Sequence, residues 1–110
     1  YGVGVMAKPV SDEVIEWSRA VSMRASFKAT LGCAKAFSST DFRPDLASFH
    51  VPTLIIHGTD DKIVPIDTSA RAAAKGIEGS TLIEYDGGPH GLLASHTAKV
   101  TSDVLAFLRG

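Results

Sequence analysis

Two segments in the second half of the chain carry an acid and a histidine in positions where they could act together. In Val51-Pro-Thr-Leu-Ile-Ile-His-Gly-Thr-Asp-Asp-Lys-Ile-Val-Pro65, an apolar run is followed by two aspartates; in Tyr85-Asp-Gly-Gly-Pro-His-Gly-Leu-Leu93, a Gly-rich loop carries His90. Histidine can take up and return a proton near neutral pH, and a carboxylate on its other ring nitrogen fixes its tautomer and stabilises the imidazolium. The residue types therefore predict a histidine general base oriented by an acid.

Other interpretations of these side chains compete with catalysis. An aspartate in a loop after a strand more often forms a turn or caps a helix, and a histidine between Pro and Gly is more often structural. A metal site is the main chemical rival, with four candidate ligands at the two loops: His57, Asp60, Asp61 and His90. No His-Glu-x-x-His motif, cysteine pair or carboxylate-rich calcium loop accompanies them, so the joint pattern favours an acid and a base.

Two strands must position these loops. Residues 51–56 are apolar except for Thr53, which is typical of a strand covered on both faces in a parallel sheet, and residues 81–86 form a second short strand. A strand, helix and strand of this length predict a parallel pair with a right-handed crossover. Both loops then lie at the carboxyl ends of the strands, where catalytic groups gather in such sheets.

Helices fill the rest of the second half. Asp67 or Thr68 is expected to cap an Ala-rich helix that runs to about Ile77, and Gly79 is expected to end it in a left-handed conformation. Residues 97–108 predict an amphipathic helix with four apolar side chains on one face: Val100, Val104, Leu105 and Leu108.

The first half is predicted to be helical after a loop. Residues 1–9 are Gly-rich and predict an extended or loop segment, and Ser11 is a suitable N-cap for the helix that follows. A second helical stretch runs from about residue 25 to residue 37, and the two are either one bent helix or two separate helices. Residues 38–45 contain several hydrogen-bonding side chains and Pro44, so no regular element is expected there.

Composition restricts the class of protein. A chain of 110 residues with a net charge of −1 predicts one domain or a piece of one and gives no reason to expect nucleic-acid or membrane binding. Cys33, the one cysteine, is interpreted as a packing residue of a helix; an intrachain disulfide is excluded, which fits a cytoplasmic location. The N-terminus has no signal-peptide pattern and does not begin with Met, so we expect an incomplete chain.

Three motifs carry a resemblance to a known family. His57-Gly-Thr-Asp-Asp61-Lys-Ile-Val-Pro65 resembles the acid motif of the α/β-hydrolases, in which a strand ends in His-Gly and the acid follows three residues after the glycine. Gly88-Pro-His90-Gly-Leu-Leu93 resembles the family's histidine loop. Thr40-Asp-Phe-Arg-Pro-Asp-Leu46 resembles the segment that returns the chain from the cap to the core. The similarity runs from about residue 11 to the end and is strongest to the cofactor-free haloperoxidases, aryl esterases and perhydrolases.

The resemblance implies a fold and a set of roles. The fold is α/β, the C-terminal portion of an α/β-hydrolase, with late cap helices in residues 1–40 and the last two parallel strands with their helices in residues 41–110. Asp61 becomes the acid of a Ser-His-Asp triad and His90 its base, with no metal, haem or other cofactor. His57 is then a structural residue at the end of a strand. Weak candidates for an acyl pocket lie in the cap-like part: Trp17, Phe27 and Phe37.

The sequence departs from the family pattern at the nucleophile. No serine has the Gly-x-Ser-x-Gly context of a nucleophile elbow, and in this fold that serine precedes the acid and the histidine. We therefore expect the back part of a serine hydrolase, inactive by itself and prone to self-association, whose complete form acts on a small ester, or on a carboxylic acid with peroxide. The alternative is a non-catalytic module of the same fold that works by binding or association.

Overall fold

A computed structural model describes residues 10–110, and the predicted loop over residues 1–9 lies outside the described residues. The described residues form five α-helices and two strands, in this order: α1 Asp12–Met23, α2 Phe27–Ser39, β1 Leu54–Gly58, α3 Ala70–Gly76, β2 Thr81–Tyr85, α4 Leu92–Ser95 and α5 Thr97–Arg109. Two short 3-10 helices, Arg43–Ser48 and Ile66–Thr68, precede β1 and α3. The predicted α/β class is confirmed.

The two strands form the parallel pair expected from the sequence. They pair in register from Leu54 opposite Thr81 to Gly58 opposite Tyr85. The first strand begins three residues later than predicted, because Val51 lies exposed ahead of it and Pro52 has no backbone N–H to donate to a ladder. The second strand agrees with the prediction to within one residue.

The cap predicted for α3 is wrong. Asp67 and Thr68 belong to a 3-10 turn after Pro65, and Ser69 is the residue that precedes the helix. The carboxylate of Asp67 instead lies 2.7 Å from the guanidinium of Arg71, one helical turn further on. Gly79 does adopt the left-handed conformation expected of it, with φ of 74°, in the turn that leads into β2.

The first half contains two separate helices rather than one bent helix. A break at residues 24–26 separates them, and the hydroxyl of Ser26 accepts a hydrogen bond from the backbone N–H of Ala29 at the start of α2. The packing expected for Cys33 is wrong, because that side chain is exposed. Both helices expose large apolar side chains, listed here with the exposed fraction of each: Trp17 68%, Val21 46%, Met23 80%, Phe27 84%, Leu31 60% and Phe37 81%.

The prediction that residues 38–45 lack regular structure is wrong at both ends of the segment, because α2 extends to Ser39 and a 3-10 helix begins at Arg43. The chain from Arg43 to Ser48 forms a 3-10 helix, with Pro44 in its first turn. Proline fits there because the first turn of a helix needs no N–H from it and its φ is already fixed near the helical value. Asp41 orders the approach, since its carboxylate accepts hydrogen bonds from the backbone N–H and the guanidinium of Arg43.

The core lies between the sheet and the C-terminal helices. Tyr85, Leu92 and Val100 are buried together, with Ile56 and Ile83 packed against them. The Tyr85 hydroxyl donates to Asp103 over 2.5 Å and so joins β2 to α5. The helix predicted from the amphipathic pattern is confirmed as α5. Of the four apolar side chains on its predicted face, Val100 alone is buried.

Candidate active site

Asp61 lies in the loop after β1, and its carboxylate is buried and surrounded by donors. The residue is 6% exposed. Oδ1 accepts hydrogen bonds from the backbone N–H groups of Ile63 and Val64, each over 2.9 Å. The loop folds this way because the side chain of Asp61 hydrogen-bonds to the backbone two and three residues later, as aspartates do in turns.

His90 lies in the loop after β2 and meets that carboxylate. Its Nδ1 lies 2.7 Å from Oδ2 of Asp61, and its side chain is 41% exposed. An ionised carboxylate can only accept, so Nδ1 carries the hydrogen and Nε2 of the neutral ring is left as an acceptor. A histidine held in this tautomer by a buried acid can take a proton from a hydroxyl placed at Nε2.

The hydrogen bonds of Asp61 outweigh its burial. Burial by itself would raise the pKa of the carboxyl group, but the N–H of Val64, the ring of His90 and the N–H of Ile63 act in the opposite direction. The net effect lowers the pKa of Asp61 below its ordinary value. The group therefore stays charged near neutral pH, as an acid that stabilises an imidazolium must.

Backbone contacts hold the two loops against each other. Gly58, at the end of β1, has no room for a side chain, because a Cβ built there would lie 2.0 Å from the carbonyl oxygen of Gly88. The N–H of Asp60 donates to the same carbonyl oxygen over 3.0 Å, and the hydroxyl of Thr59 accepts from the N–H of Gly87 over 2.8 Å. The distance between Asp61 and His90 thus depends on the crossing of two loops as well as on the two side chains.

The sequence patterns did not identify these supporting residues. Nothing in the type of Thr59 distinguishes it from an ordinary loop threonine, since its hydroxyl meets a backbone group 28 residues away. The glycine of the His-Gly motif was visible as a pattern, but the need for glycine follows from the approach of a second loop that is remote in sequence.

The other histidines occupy three different settings. His57, in β1, places Nε2 2.9 Å from the carbonyl oxygen of Val64 and 3.2 Å from Oδ2 of Asp61. His96 precedes α5, and its ring packs edge-on against Tyr85 with centroids 5.6 Å apart. His50, which lies ahead of β1, is exposed.

The structure does not join every candidate side chain to this site. The pocket candidates Trp17, Phe27 and Phe37 project into solvent from α1 and α2. Asp60, the neighbour of the acid, forms an ion pair with Lys62 on the outside of the loop. Over residues 10–110, no three His, Cys, Asp or Glu side chains are grouped as ligands for a metal ion, and no helix of that range is long and apolar enough to cross a membrane.

Comparison with known proteins identifies the family. The family model described as serine aminopeptidase, S33, matches residues 12–96. A non-heme chloroperoxidase from Streptomyces lividans is 38% identical over 109 residues, which are 99% of this chain and 40% of that protein. A bifunctional esterase/perhydrolase from Acinetobacter calcoaceticus is 37% identical over 110 residues, with 99% and 40% coverage.

Solved structures agree with these relatives. A bromoperoxidase from Bacillus anthracis matches with a TM-score of 0.88 and 42% identity, over 92% of this chain and 37% of that one. An esterase from Exiguobacterium antarcticum matches with a TM-score of 0.89 and 28% identity, over 94% of this chain and 38% of that one. The chain spans about 40% of the length of the curated relatives that it matches.

Proposed function

Since this chain belongs to the α/β-hydrolases, in the family described as serine aminopeptidase S33, we propose that it supplies the acid and the base of a Ser-His-Asp triad in a carboxylesterase or perhydrolase. One observation carries the proposal: a buried carboxylate lies 2.7 Å from Nδ1 of a half-exposed histidine at the carboxyl ends of two adjacent parallel strands. A histidine and an acid so placed need a serine nucleophile to complete the catalytic triad.

The proposed mechanism assigns one proton path. Nε2 of His90 takes the proton of the serine hydroxyl as its oxygen attacks the ester carbonyl, and returns it to the departing alcohol. Asp61 keeps Nδ1 protonated and stabilises the positive ring while the acyl-enzyme forms. Water, or hydrogen peroxide, then gives up a proton to Nε2 and attacks the acyl group. The bond between the acyl carbon and the serine oxygen breaks, His90 returns the proton to that oxygen, and the acyl group leaves as an acid or a peracid. The names of the relatives support both acceptors.

The nucleophile is not among these 110 residues, because no serine of the sequence has the Gly-x-Ser-x-Gly context. The serine would have to lie in sequence that precedes Tyr1. The chain without it is expected to show no esterase activity. The alternative, a non-catalytic module that acts by binding, predicts that no such serine precedes Tyr1 in the reading frame.

The first experiment is to sequence the coding DNA upstream and to assay the extended chain. We expect a Gly-x-Ser-x-Gly motif and hydrolysis of a short aryl ester such as p-nitrophenyl acetate. His90→Ala should lower kcat by about 10⁶-fold and Asp61→Asn by about 10⁴-fold, as loss of the base or of its orienting acid does in such triads. The 110-residue chain is assayed beside the extended chain and is expected to show no hydrolysis of the ester.

Matched controls separate the site from its surroundings. His50→Ala removes an exposed histidine remote from the loop, and Asp60→Asn removes the neighbouring carboxylate, so both should leave kcat within about two-fold of the unaltered enzyme, as surface substitutions usually do. Near-normal turnover in His90→Ala, or an upstream start codon with no serine motif, would reject the proposal. Adding hydrogen peroxide and detecting the peracid would distinguish a perhydrolase from an esterase.

A further inference from the structure

His57 lies beside the catalytic pair and has no part in the proton path proposed for His90. It is the fourth residue of β1, and its side chain is 16% exposed. Its Nε2 lies 2.9 Å from the carbonyl oxygen of Val64 and 3.2 Å from Oδ2 of Asp61. The same Oδ2 lies 2.7 Å from Nδ1 of His90, so two histidine rings approach one carboxylate oxygen, one from β1 and the other from the loop after β2.

The surroundings of the His57 ring specify its protonation. A carbonyl oxygen and an ionised carboxylate are both acceptors, so a bare Nε2 would face two negative groups, whereas a protonated Nε2 donates to Val64 and points positive charge towards Asp61. The geometry therefore selects the Nε2–H tautomer for His57 and the Nδ1–H tautomer for His90.

Val64 links His57 to the acid a second time. Its carbonyl oxygen accepts from His57, and its N–H donates to Oδ1 of Asp61 over 2.9 Å. Val64 is thus held to β1 by its carbonyl group and to the Asp61 carboxylate by its N–H. Loss of the His57 donor would free the carbonyl and let the Val64 N–H move away from the acid.

We propose that His57 is a positioning residue of the active site, which holds the acid loop closed and keeps the Asp61 carboxylate charged and aimed at His90. The effect of His57 on catalysis rests on the function proposed above, whereas its contacts with Val64 and Asp61 are independent of that function. The other charged groups of the loop, Asp60 and Lys62, pair with each other on its outer side, so they do not substitute for this donor.

The first test reads the tautomers of the histidine rings in the unaltered 110-residue chain. Two-dimensional 15N NMR at alkaline pH, where imidazoles are neutral, distinguishes Nδ1–H from Nε2–H. We expect His57 as Nε2–H and His90 as Nδ1–H. His57 as Nδ1–H, or in rapid exchange between both forms, would overturn the proposal, and no variant has to fold for this result.

The second test follows the 13C titration of the Asp61 carboxyl group in two variants. His57→Gln keeps an N–H donor near the position of Nε2, whereas His57→Leu keeps the bulk and removes the donor. The pH midpoint of the Asp61 titration should shift upward in His57→Leu and stay near that of the unaltered chain in His57→Gln, because hydrogen-bond donors to a carboxylate favour its charged form. An unshifted midpoint in a folded His57→Leu chain would also overturn the proposal. His50→Leu is the matched control at an exposed histidine and should change nothing.

The two proposals fail in different ways. In the extended chain, His57→Leu should lower kcat by about ten-fold or more with little change in KM, since a misaligned acid weakens the chemical step rather than binding. If the tautomers and the titration are as expected but no ester is cleaved, the function is wrong and the positioning role stands. If ester cleavage occurs and His57 is Nδ1–H, the positioning role is wrong and the function stands.

Discussion

Asp61 is both buried and charged because its oxygens face donors instead of apolar side chains. Two backbone N–H groups reach Oδ1, and Nδ1 of His90 reaches Oδ2. An aspartate without such partners at 6% exposure would be expected to take up a proton. The loop that follows β1 thus provides the charge state that a histidine partner requires.

Asp61 should make the stability of the chain depend on pH. Its pKa is lower in the folded state than in the unfolded state, so it stabilises the fold above its unfolded pKa, and this contribution disappears as the pH falls through the folded value. Asp61→Asn should cost about 1–3 kcal/mol at pH 7. In thermal melts, the difference in stability between the unaltered chain and Asp61→Asn should shrink once the pH falls below about 4, the ordinary pKa of an aspartate.

Asp60→Asn is the control for this measurement. The Asp60 carboxylate forms an exposed ion pair with Lys62, and such pairs contribute about 0–1 kcal/mol. If Asp60→Asn lost as much stability as Asp61→Asn, with the same dependence on pH, the effect would belong to the charge of the loop as a whole.

At the scale of residues, the sequence predicted Asp61 and His90 but not the residues that hold them in place. The residue types and the resemblance selected Asp61 and His90, and the structure brings those two side chains together. The contact between His57 and Asp61 spans four residues, yet its meaning depends on the turn that brings Val64 back to β1. A pattern of residue types does not specify such a turn.

At the scale of elements, the loops that follow β1 and β2 cross at a point where only glycine fits. The carbonyl oxygen of Gly88 lies where the Cβ of any residue other than glycine at position 58 would lie. Gly87 has φ of 64°, so the loop that carries His90 turns through a left-handed conformation just before this contact. Glycines at both loops let two backbones approach and keep the acid within reach of the base.

Gly58→Ala should therefore force the loops apart. A Cβ at 2.0 Å from a backbone atom cannot be relieved by rotating a side chain, so we expect a loss of about 1–3 kcal/mol and a longer, weaker contact between Asp61 and His90. Gly32→Ala is the matched control, because it makes the same change in α2 where nothing lies within 4 Å. It should raise stability by about 0.5–1 kcal/mol. Equal melting temperatures for the two variants would contradict the steric argument.

Element types were more predictable than their ends. The apolar run and the helical spacing gave both strands and the long helices, because burial of one face leaves a periodic pattern. The 3-10 helix at Arg43–Ser48 was missed because Pro44 was taken as a breaker, whereas it occupies a first turn. The cap of α3 was misplaced because Asp67 pairs with Arg71 and leaves Ser69 to precede the helix.

At the scale of the whole molecule, surfaces of two kinds remain open among residues 10–110. One is apolar and is formed by α1 and α2, whose large side chains project into solvent. The other is polar backbone, the unpaired N–H and C=O groups at the outer edges of β1 and β2, since the sheet described has two strands. The amphipathic pattern of the helices was read correctly as helical, but a periodic pattern does not say which surface will cover it.

The open edge of β1 should cause self-association of the isolated chain. The carbonyl of Thr53 and the N–H of Thr59 bond to β2, so in the alternating ladder the N–H of Ile55 also faces β2 and that of Ile56 faces the free edge. Unpaired edges invite pairing with another chain. Sedimentation over a concentration series should show the average mass rising with concentration. Over the same series, hydrogen exchange at the N–H of Ile56 should slow by about ten-fold or more, while exchange at the N–H of Ile55 should change little. A rise in mass without added protection at Ile56 would assign the contact to the apolar helices, and a monomer at every concentration would exclude association altogether.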